Sequence, residues 1–152
     1  MAGVGYEAIR LNNIYGGHEN IKFLGFVSDI HELFCQTDIV LLPTFYPGES
    51  MPTVLIQALQ AGRPIISTGL ASIPMMCKDE IGSAALIIDD YTDMNNLIEE
   101  LSENILKLLQ IDTYQELQKH SYRIGKKYEI NNYIDQYINI YETKVTQEEI
   151  KS

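Results

Sequence analysis

Apolar and polar positions change their spacing repeatedly over the first ninety residues. Short apolar runs of the kind found in buried parallel strands alternate with segments in which apolar residues recur every three or four positions, as on one helix face. We predict strands at 21–26, 38–43, 64–68 and 84–88, and helices at 7–14, 29–34, 52–61 and 73–77. Strands that alternate with helices through short connections predict an α/β fold, a doubly wound parallel sheet flanked by helices.

The pattern differs beyond residue 90, where long stretches of helical spacing contain a single glycine. We therefore predict one domain over 1–152, with a sheet core at 1–90 and a helical C-terminal extension at 91–152. The last helix carries a broad apolar stripe. The stripe consists of Ile130, Tyr133, Ile134, Tyr137, Ile138, Tyr141 and Val145.

Composition and charge exclude several classes of protein. The chain has 11 basic and 21 acidic side chains, a formal net charge of −10, and 45% hydrophobic residues. This hydrophobic fraction excludes a disordered chain, and the acidic excess argues against nucleic acid as a partner. No apolar run reaches the roughly 18 residues of a membrane span, and residues 1–6 lack the features of a signal peptide. Cys35 and Cys77 fit free thiols in a reducing compartment, so we expect a cytoplasmic protein.

One loop and the helix after it carry the most informative chemistry. A carboxylate, Glu49, precedes a predicted helix that begins at Pro52, and Gln57 lies further along that helix. The first amides of a helix have no partner within it, and together with the helix dipole they form an anion site. Glu49 and Gln57 can each accept hydrogen bonds from hydroxyl groups. A phosphate site flanked by two hydroxyl-binding side chains describes a sugar nucleotide.

Residues 49–66 resemble the signature of the group 1 (family 4) glycosyltransferases of the GT-B fold. That signature is a Glu, seven residues, a second Glu followed by Ala, then a helix end, Gly, Pro and a strand. The corresponding residues here are Glu49, Gln57, Ala58, Gly62 and Pro64. The resemblance continues in the same order at 20–27, 37–43, 69–76 and 128–141, so it covers most of the chain.

The resemblance implies roles for individual residues. Glu49 matches the residue that holds the donor sugar, and it is the candidate catalytic residue. Gln57 stands where the family's second Glu binds the ribose hydroxyls, and it departs from the pattern because an amide carries no charge. The turn with Gly3 and Gly5 resembles one close to the diphosphate. The segment that meets the base is matched by Gly25, Phe26 and Val27. The stretch whose backbone amides receive sugar hydroxyls and diphosphate is matched by Ser50, Met51, Pro52, Thr53, Val54 and Leu55.

The implied activity is that of a retaining glycosyltransferase in bacterial surface polysaccharide synthesis. Its donor is a nucleotide-diphosphate sugar such as a UDP- or GDP-sugar, and the sugar moves to an acceptor hydroxyl. The chain has no Asp-x-Asp, with which GT-A enzymes hold a metal, and its three histidines have no partners at metal spacing. We therefore expect no metal and no other cofactor, and we expect the histidines at the surface.

The family's enzymes have two domains, and this chain resembles only the C-terminal, donor-binding one. Only Met1 and Ala2 precede the glycine turn, where a strand is expected, so we interpret the chain as part of a longer one. The N-terminal acceptor domain is then missing, the chain alone is inactive, and membrane association comes only through the missing half. The closing helix packs on that half in the family, so part of the apolar stripe should be exposed. A non-catalytic binding module of the same fold and a sugar-nucleotide epimerase half are the alternatives.

Overall fold

Three parallel strands form the central sheet of the structure, a computed structural model that describes residues 1–149 and, of these, the side chains up to residue 142. The strands lie in the order β1 (Val40–Leu42), β2 (Ile65–Thr68), β3 (Ala85–Ile88). The helices are α1 (Tyr6–Tyr15), α2 (Ile30–Cys35), α3 (Thr53–Gln60), α4 (Ile73–Met76), α5 (Met94–Leu108), α6 (Ile111–Gly125) and α7 (Asn131–Glu149). A 3₁₀ turn at Lys126–Tyr128 follows α6. The predicted α/β fold with a helical C-terminal region is confirmed.

Helices cover both faces of the sheet, which explains why all four residues of β2 are buried. Successive strand side chains point to opposite faces. Ile65 packs into a cluster with residues of α2, α3, α4 and α6, and Ile66 packs into a second cluster with residues of α5 and α6. Burial of apolar surface on both faces is the main force that holds this part of the chain together.

The end of α3 is set by backbone geometry. Gly62 has a φ of 68°, which favours glycine, and its amide donates to the carbonyl of Leu59 at 2.9 Å. The amide of Arg63 donates to the carbonyl of Ala58 at 2.9 Å, so the helix ends in a Schellman motif. Helix α6 packs closely here, since a Cβ on Gly125 would overlap the carbonyl of Leu59. The backbone groups at the start of α3 are therefore held by a rigid helix.

The strand predicted at 21–26 is not among the three strands of the sheet. Its backbone is hydrogen-bonded to residues 1–3 instead: the Met1 ammonium donates to the carbonyl of Lys22 at 2.6 Å, and the amide of Gly3 donates to that of Gly25 at 2.8 Å. The amide of Leu24 donates to the carbonyl of Met1 at 2.8 Å. Gly25 has a φ of 64°, which departs from extended backbone, so the segment does not form a regular strand.

Two helices leave their apolar residues uncovered. In α1, predicted from its spacing, every residue is exposed or half-exposed. In α7, the prediction of an exposed stripe is confirmed, since Tyr133, Tyr137 and Tyr141 are 41%, 62% and 69% exposed. The side chain of Val145 lies outside the described residues. Within residues 1–149, no helix combines the length and the apolar character that a membrane crossing requires.

One carboxylate ties the loop before β3 to the end of α6. Asp79 accepts from Arg123 at 2.7 and 3.0 Å, from Lys127 at 3.2 Å, and from the amides of Ile81 and Gly82 at 3.0 and 3.2 Å. The Arg123 guanidinium above all holds the pKa of Asp79 well below its usual range.

His120 corrects one expectation. Its imidazole packs against the loop before β3, so closely that a Cβ added to Gly82 would lie 2.6 Å from its Nε2. Its side chain is 12% exposed, so this histidine is not a surface residue as predicted.

Candidate functional site

The loop that carries Glu49 connects the carboxyl end of β1 to the start of α3. In open α/β sheets, ligands bind beyond the carboxyl ends of the strands, so the loop lies where a ligand is expected. Two buried hydroxyls at the end of β2 hold it: Ser67 Oγ donates to the carbonyl of Leu42 at 2.7 Å, and Thr68 Oγ1 donates to that of Thr44 at 2.6 Å. Ser72 Oγ donates to the carbonyl of Ser50. The loop backbone is thus fixed by side chains from other elements.

Sequence reasoning missed these positioning hydroxyls. A signal was present, because Ser67 and Thr68 are polar residues at the end of an apolar run that reads as a buried strand. Buried hydroxyls almost always have a hydrogen-bond partner. The partner itself, a carbonyl about 24 residues earlier in the chain, follows only from the fold.

Glu49 lies in the loop that leads into α3, four residues before Thr53, the first residue of the helix. Its amide donates to the carbonyl of Tyr46 at 3.0 Å in a tight turn, and its half-buried carboxylate has no hydrogen-bond or ion-pair partner within the described residues. The N-cap of α3 is Pro52, which offers no side-chain acceptor, so the amides of Thr53 and Val54 also lack partners in the described part of the chain. Chemically, this junction can take an anion on its amides and a hydroxyl on its carboxylate.

Gln57 lies on the exposed side of α3, beyond the buried Leu55. Its side-chain amide has no hydrogen-bond partner among residues 1–149, so it is available to a ligand. The structure places Gln57 on the same helix as the unpaired amides, as the spacing predicted.

The glycine turn at the start of the chain forms a second group. Gly3 and Gly5 have φ values of 134° and 136°, which other residues rarely adopt, and a Cβ on either would meet only open space. Gly5 is the N-cap of α1. Together with Gly25, the turn lines a cavity of about 300 Å³, so one of the predicted base-binding residues lies beside the predicted diphosphate turn.

A larger cavity of about 640 Å³ joins this region to α3. Gly3, Phe26, Val27 and Val54 all line it. The structure therefore brings three of the five predicted groups to one place, while Glu49 and Gln57 are not among the residues that line either cavity.

Two further kinds of group bear on a diphosphate site, basic side chains and metal ligands. Arg10, in α1, is paired with Glu7 at 2.8 Å rather than directed at the glycine turn. Among the residues that the structure describes, no group of three or more His, Cys, Asp or Glu side chains is arranged to hold a metal ion.

The chain is similar to known proteins in both sequence and fold. Residues 1–110 match the family model described as "Glycosyl transferases group 1". A curated relative, the "Uncharacterized 41.2 kDa protein in cps region" of Klebsiella pneumoniae, is 27% identical over 90 residues. That match covers 58% of this chain and 24% of the relative, so the matched residues span about a quarter of the relative's length.

Solved structures share the fold over nearly the whole chain. HepE of Anabaena, solved in complex with UDP and glucose, superposes with a TM-score of 0.74 at 16% identity. The pneumococcal O-GlcNAc transferase GtfA, in complex with UDP and GlcNAc, superposes with a TM-score of 0.76 at 16% identity. Each match covers 93% of this chain, but only 39% of the HepE chain and 28% of the GtfA chain.

Proposed function

The chain belongs to the group 1 glycosyl transferases, and on that premise we propose that it is the donor-binding half of a glycosyltransferase of the GT-B fold. As one domain over 1–152, it binds a nucleotide-diphosphate sugar, while the acceptor site lies outside these residues. One observation carries the proposal. At the carboxyl edge of the sheet, a carboxylate with no partner among the described residues lies in the loop that leads into a rigid helix, and the first amides of that helix are also unpaired in the described part of the chain.

Each part of the donor has a group to receive it in this proposal. The amides at the start of α3, within 50–55, take the diphosphate, with the turn at Gly3 and Gly5 close by. Glu49 accepts hydrogen bonds from the sugar hydroxyls, and Gln57 from the ribose. The backbone of residues 25–27 meets the base.

Catalysis in the full enzyme comes from positioning and leaving-group electrostatics. As the bond between the sugar and the diphosphate breaks, negative charge grows on the departing oxygen, and the amides and dipole of α3 stabilise it. Glu49 orients the sugar so that the acceptor hydroxyl attacks from the face that the diphosphate leaves, which retains the anomeric configuration. The charge can be handled in this way without a metal.

The comparisons support a uridine nucleotide and a role in surface polysaccharide synthesis, and the proposal places the protein in the cytoplasm. HepE and GtfA were solved with UDP, and the Klebsiella relative lies in the cps region. Residues 1–152 alone are expected to bind the donor weakly and to transfer nothing, because no acceptor site is supplied.

The decisive experiment is a titration of the chain with UDP and with UDP-glucose, followed by amide NMR and calorimetry. Both ligands should shift the resonances of Thr53 and Val54. Glu49→Gln keeps the shape of the side chain and removes its charge. A charge-assisted hydrogen bond is worth about 1.5–3 kcal/mol, so UDP-glucose affinity should fall about tenfold or more while UDP affinity stays unchanged.

The matched control is Glu80→Gln, which neutralises an exposed carboxylate in the loop before β3 and should change neither affinity. An equal loss for UDP and UDP-glucose in Glu49→Gln would remove Glu49 from the sugar. Unshifted Thr53 and Val54 resonances with both ligands would overturn the proposed site.

Gln57 tests the ribose assignment separately. Gln57→Leu should weaken UDP binding, whereas Gln57→Glu should change it by less than about tenfold. A carboxylate here gains stronger hydrogen bonds but is repelled by the diphosphate by about 2 kcal/mol at a separation of about 8 Å. The 2′-deoxy nucleotide is the control ligand, and an unchanged affinity in Gln57→Leu for both nucleotides would contradict the assignment.

A further inference from the structure

Tyr46 is an aromatic residue that the proposed function leaves unused. It lies in the loop between β1 and α3, and it is 66% exposed. Among the side chains that the structure describes, its hydroxyl has no hydrogen-bond partner and its ring packs against no other ring. Single exposed apolar residues are normal at a protein surface. A role for this ring therefore depends on whether its surroundings hold it in one position.

The backbone of Tyr46 is held on both sides. Its amide donates to Thr44 Oγ1 at 3.2 Å, and its carbonyl accepts from the amide of Glu49 at 3.0 Å. The carbonyl of Thr44 accepts in turn from the buried Thr68 Oγ1 at 2.6 Å. Tyr46 and Glu49 are thus the two ends of one tight turn, and this turn is fixed to the end of β2.

The ring of Tyr46 packs on the middle of the same turn. A Cβ added to Gly48 would lie 2.8 Å from Cε1, 2.8 Å from Cζ and 2.9 Å from Oη of Tyr46. A point at these distances from three adjacent atoms of a planar phenol can lie only above its face. One face of the ring therefore covers Gly48, and the opposite face points away from the turn.

The neighbouring aromatic residue is used differently. The ring of Phe45 packs edge-on against that of Tyr91, with centroids 5.7 Å apart and an interplanar angle of 72°. Phe45 therefore ties the loop to the segment after β3. Tyr46 is left with a fixed ring and a free face.

The turn thus presents two kinds of surface, the free aromatic face of Tyr46 and the half-buried carboxylate of Glu49. A pyranose ring has the complementary pair, since its hydroxyls surround the rim and its C–H bonds cover the two faces. The carboxylate accepts hydrogen bonds from the rim. The negative face of an aromatic ring attracts the positively polarised hydrogens of a C–H face. A diphosphate has no apolar face and gains nothing from the ring.

We propose that Tyr46 stacks on the hexose of the nucleotide sugar, and that Gly48 is a positioning residue that leaves room for the ring. This inference rests on the proposed function and adds a contact to it. Hydrogen bonds to Glu49 alone leave the sugar free to tilt about its rim. A second contact on its face fixes the tilt, so the bond to the diphosphate is presented in one orientation.

The test compares UDP-glucose with UDP on the chain of residues 1–152, by calorimetry and NMR. Tyr46→Ala should lower the affinity for UDP-glucose about three- to tenfold, and Tyr46→Phe should keep it within about twofold, because the aromatic face rather than the hydroxyl makes the contact. The affinity for UDP, which has no hexose, should stay unchanged in both variants. In the wild type, nuclear Overhauser contacts should join the Tyr46 ring to glucose protons.

Gly48→Ala tests the packing of the ring on the turn. Gly48 is not among the glycines with a positive φ, so alanine fits its backbone. Its methyl group should displace the ring and lower UDP-glucose affinity at least about twofold. In the Tyr46→Ala background the same change should have no further effect. Additive losses would show that Gly48 acts without the ring, which would overturn its assignment.

The matched control is Tyr122→Ala. Tyr122 is a tyrosine of α6 that is 56% exposed, and its removal should change neither affinity. Tyr46→Ala should also leave the midpoint of thermal unfolding within about 2 °C of the wild type, since an exposed side chain adds little stability. A loss of UDP-glucose affinity without a loss of stability separates a ligand contact from a structural role.

Three outcomes would overturn the proposal. The first is an unchanged UDP-glucose affinity in Tyr46→Ala. The second is an equal loss for UDP and UDP-glucose, with Overhauser contacts from the ring to uracil or ribose, which would assign Tyr46 to the nucleotide. The third is a lower unfolding midpoint in Tyr46→Ala that accounts for the loss of affinity. In all three, UDP still shifts the Thr53 and Val54 resonances, whereas failure of the proposed function abolishes those shifts.

Discussion

Helices α1 and α3 both begin at a candidate binding loop, but they are held in different ways. Each has an N-cap that makes no side-chain hydrogen bond, Gly5 in α1 and Pro52 in α3. Helix α3 buries Leu55, Ala58 and Leu59 completely, whereas every residue of α1 is exposed or half-exposed. The predicted ligand-binding loop before α3 is thus attached to a rigid helix. The one before α1 is attached to a helix with little packing of its own.

The two candidate binding loops therefore differ in how firmly the packing around them holds them. Residues 34–124 form their own two-faced core. Residues 1–27 are joined by backbone hydrogen bonds among themselves, such as those from residues 1–3 to the segment at 22–25, and they line the open cavity of about 640 Å³. Regions with few buried contacts open at low free-energy cost. We therefore expect the N-terminal segment to open independently of the core, and four predictions test that difference.

The largest loss of stability should come from truncating a side chain in the core. Leu59→Ala leaves a cavity between α3 and α6 and should lower the free energy of unfolding by about 2–5 kcal/mol. Its counterpart on α1, Ile9→Ala, should change it by less than about 0.5 kcal/mol, since Ile9 is 64% exposed. Urea denaturation followed by circular dichroism measures both. Similar losses in the two variants would contradict the contrast.

Glycine substitutions should give the next effect. A Cβ on Gly125 would overlap the Leu59 carbonyl and lie 2.7 Å from the amide nitrogen of Gln60. Gly125→Ala should therefore push α6 from α3 and cost about 1–3 kcal/mol. Gly17→Ala, after α1, adds a methyl group where it meets nothing within 4 Å, so the midpoint of its thermal unfolding should stay close to that of the wild type. A Gly125→Ala variant as stable as the wild type would show that the two helices can separate freely.

Low pH should lower the stability of the core region through the protonation of Asp79. Because hydrogen bonds from Arg123 lower the pKa of this carboxyl in the folded state, its contribution to stability is present above its unfolded pKa of about 3.9 and is lost as the pH falls through the folded value. Asp79→Asn should flatten the decline of thermal stability below about pH 4 and lower stability at pH 7. Glu80→Gln is the control, and an unchanged acid profile in Asp79→Asn would contradict the assignment.

The smallest effect, measured as a rate rather than an energy, concerns the two thiols. Burial raises the pKa of Cys77 to about 12, whereas Cys35 is exposed on α2. Only the thiolate reacts, so at pH 8 dithionitrobenzoate should label Cys35 rapidly and Cys77 only after global unfolding. Cys35→Ser leaves the slow phase for direct measurement. Rapid labelling of both thiols in native buffer would show that the core opens as easily as the N-terminal segment.

Much of the fold was predictable because its elements depend on local spacing. The runs at 38–43, 64–68 and 84–88 contain β1, β2 and β3, and the helix after Glu49 begins within one residue of its predicted start. The resemblance to the group 1 glycosyltransferases is confirmed. The roles of the site residues stay predictions. The strand predicted at 21–26 was wrong: its backbone bonds to residues 1–3, but Gly25 has a φ of 64° and interrupts the extended conformation, which the apolar run does not reveal.

The sequence by itself determined the order of strands and helices, the placement of Glu49 and Gln57 around the start of α3, and the apolar stripe of α7. These properties depend on residues within about two turns of one another, and backbone geometry sets their spacing. Only the tertiary structure decided that Ser67 and Thr68 hold the Glu49 loop, that α1 stays uncovered, and that residues 1–4 and β1 line a common cavity. Hydrogen-bond partners and buried faces join residues far apart in the chain, so they are settled by which surfaces meet when the sheet and its helices pack.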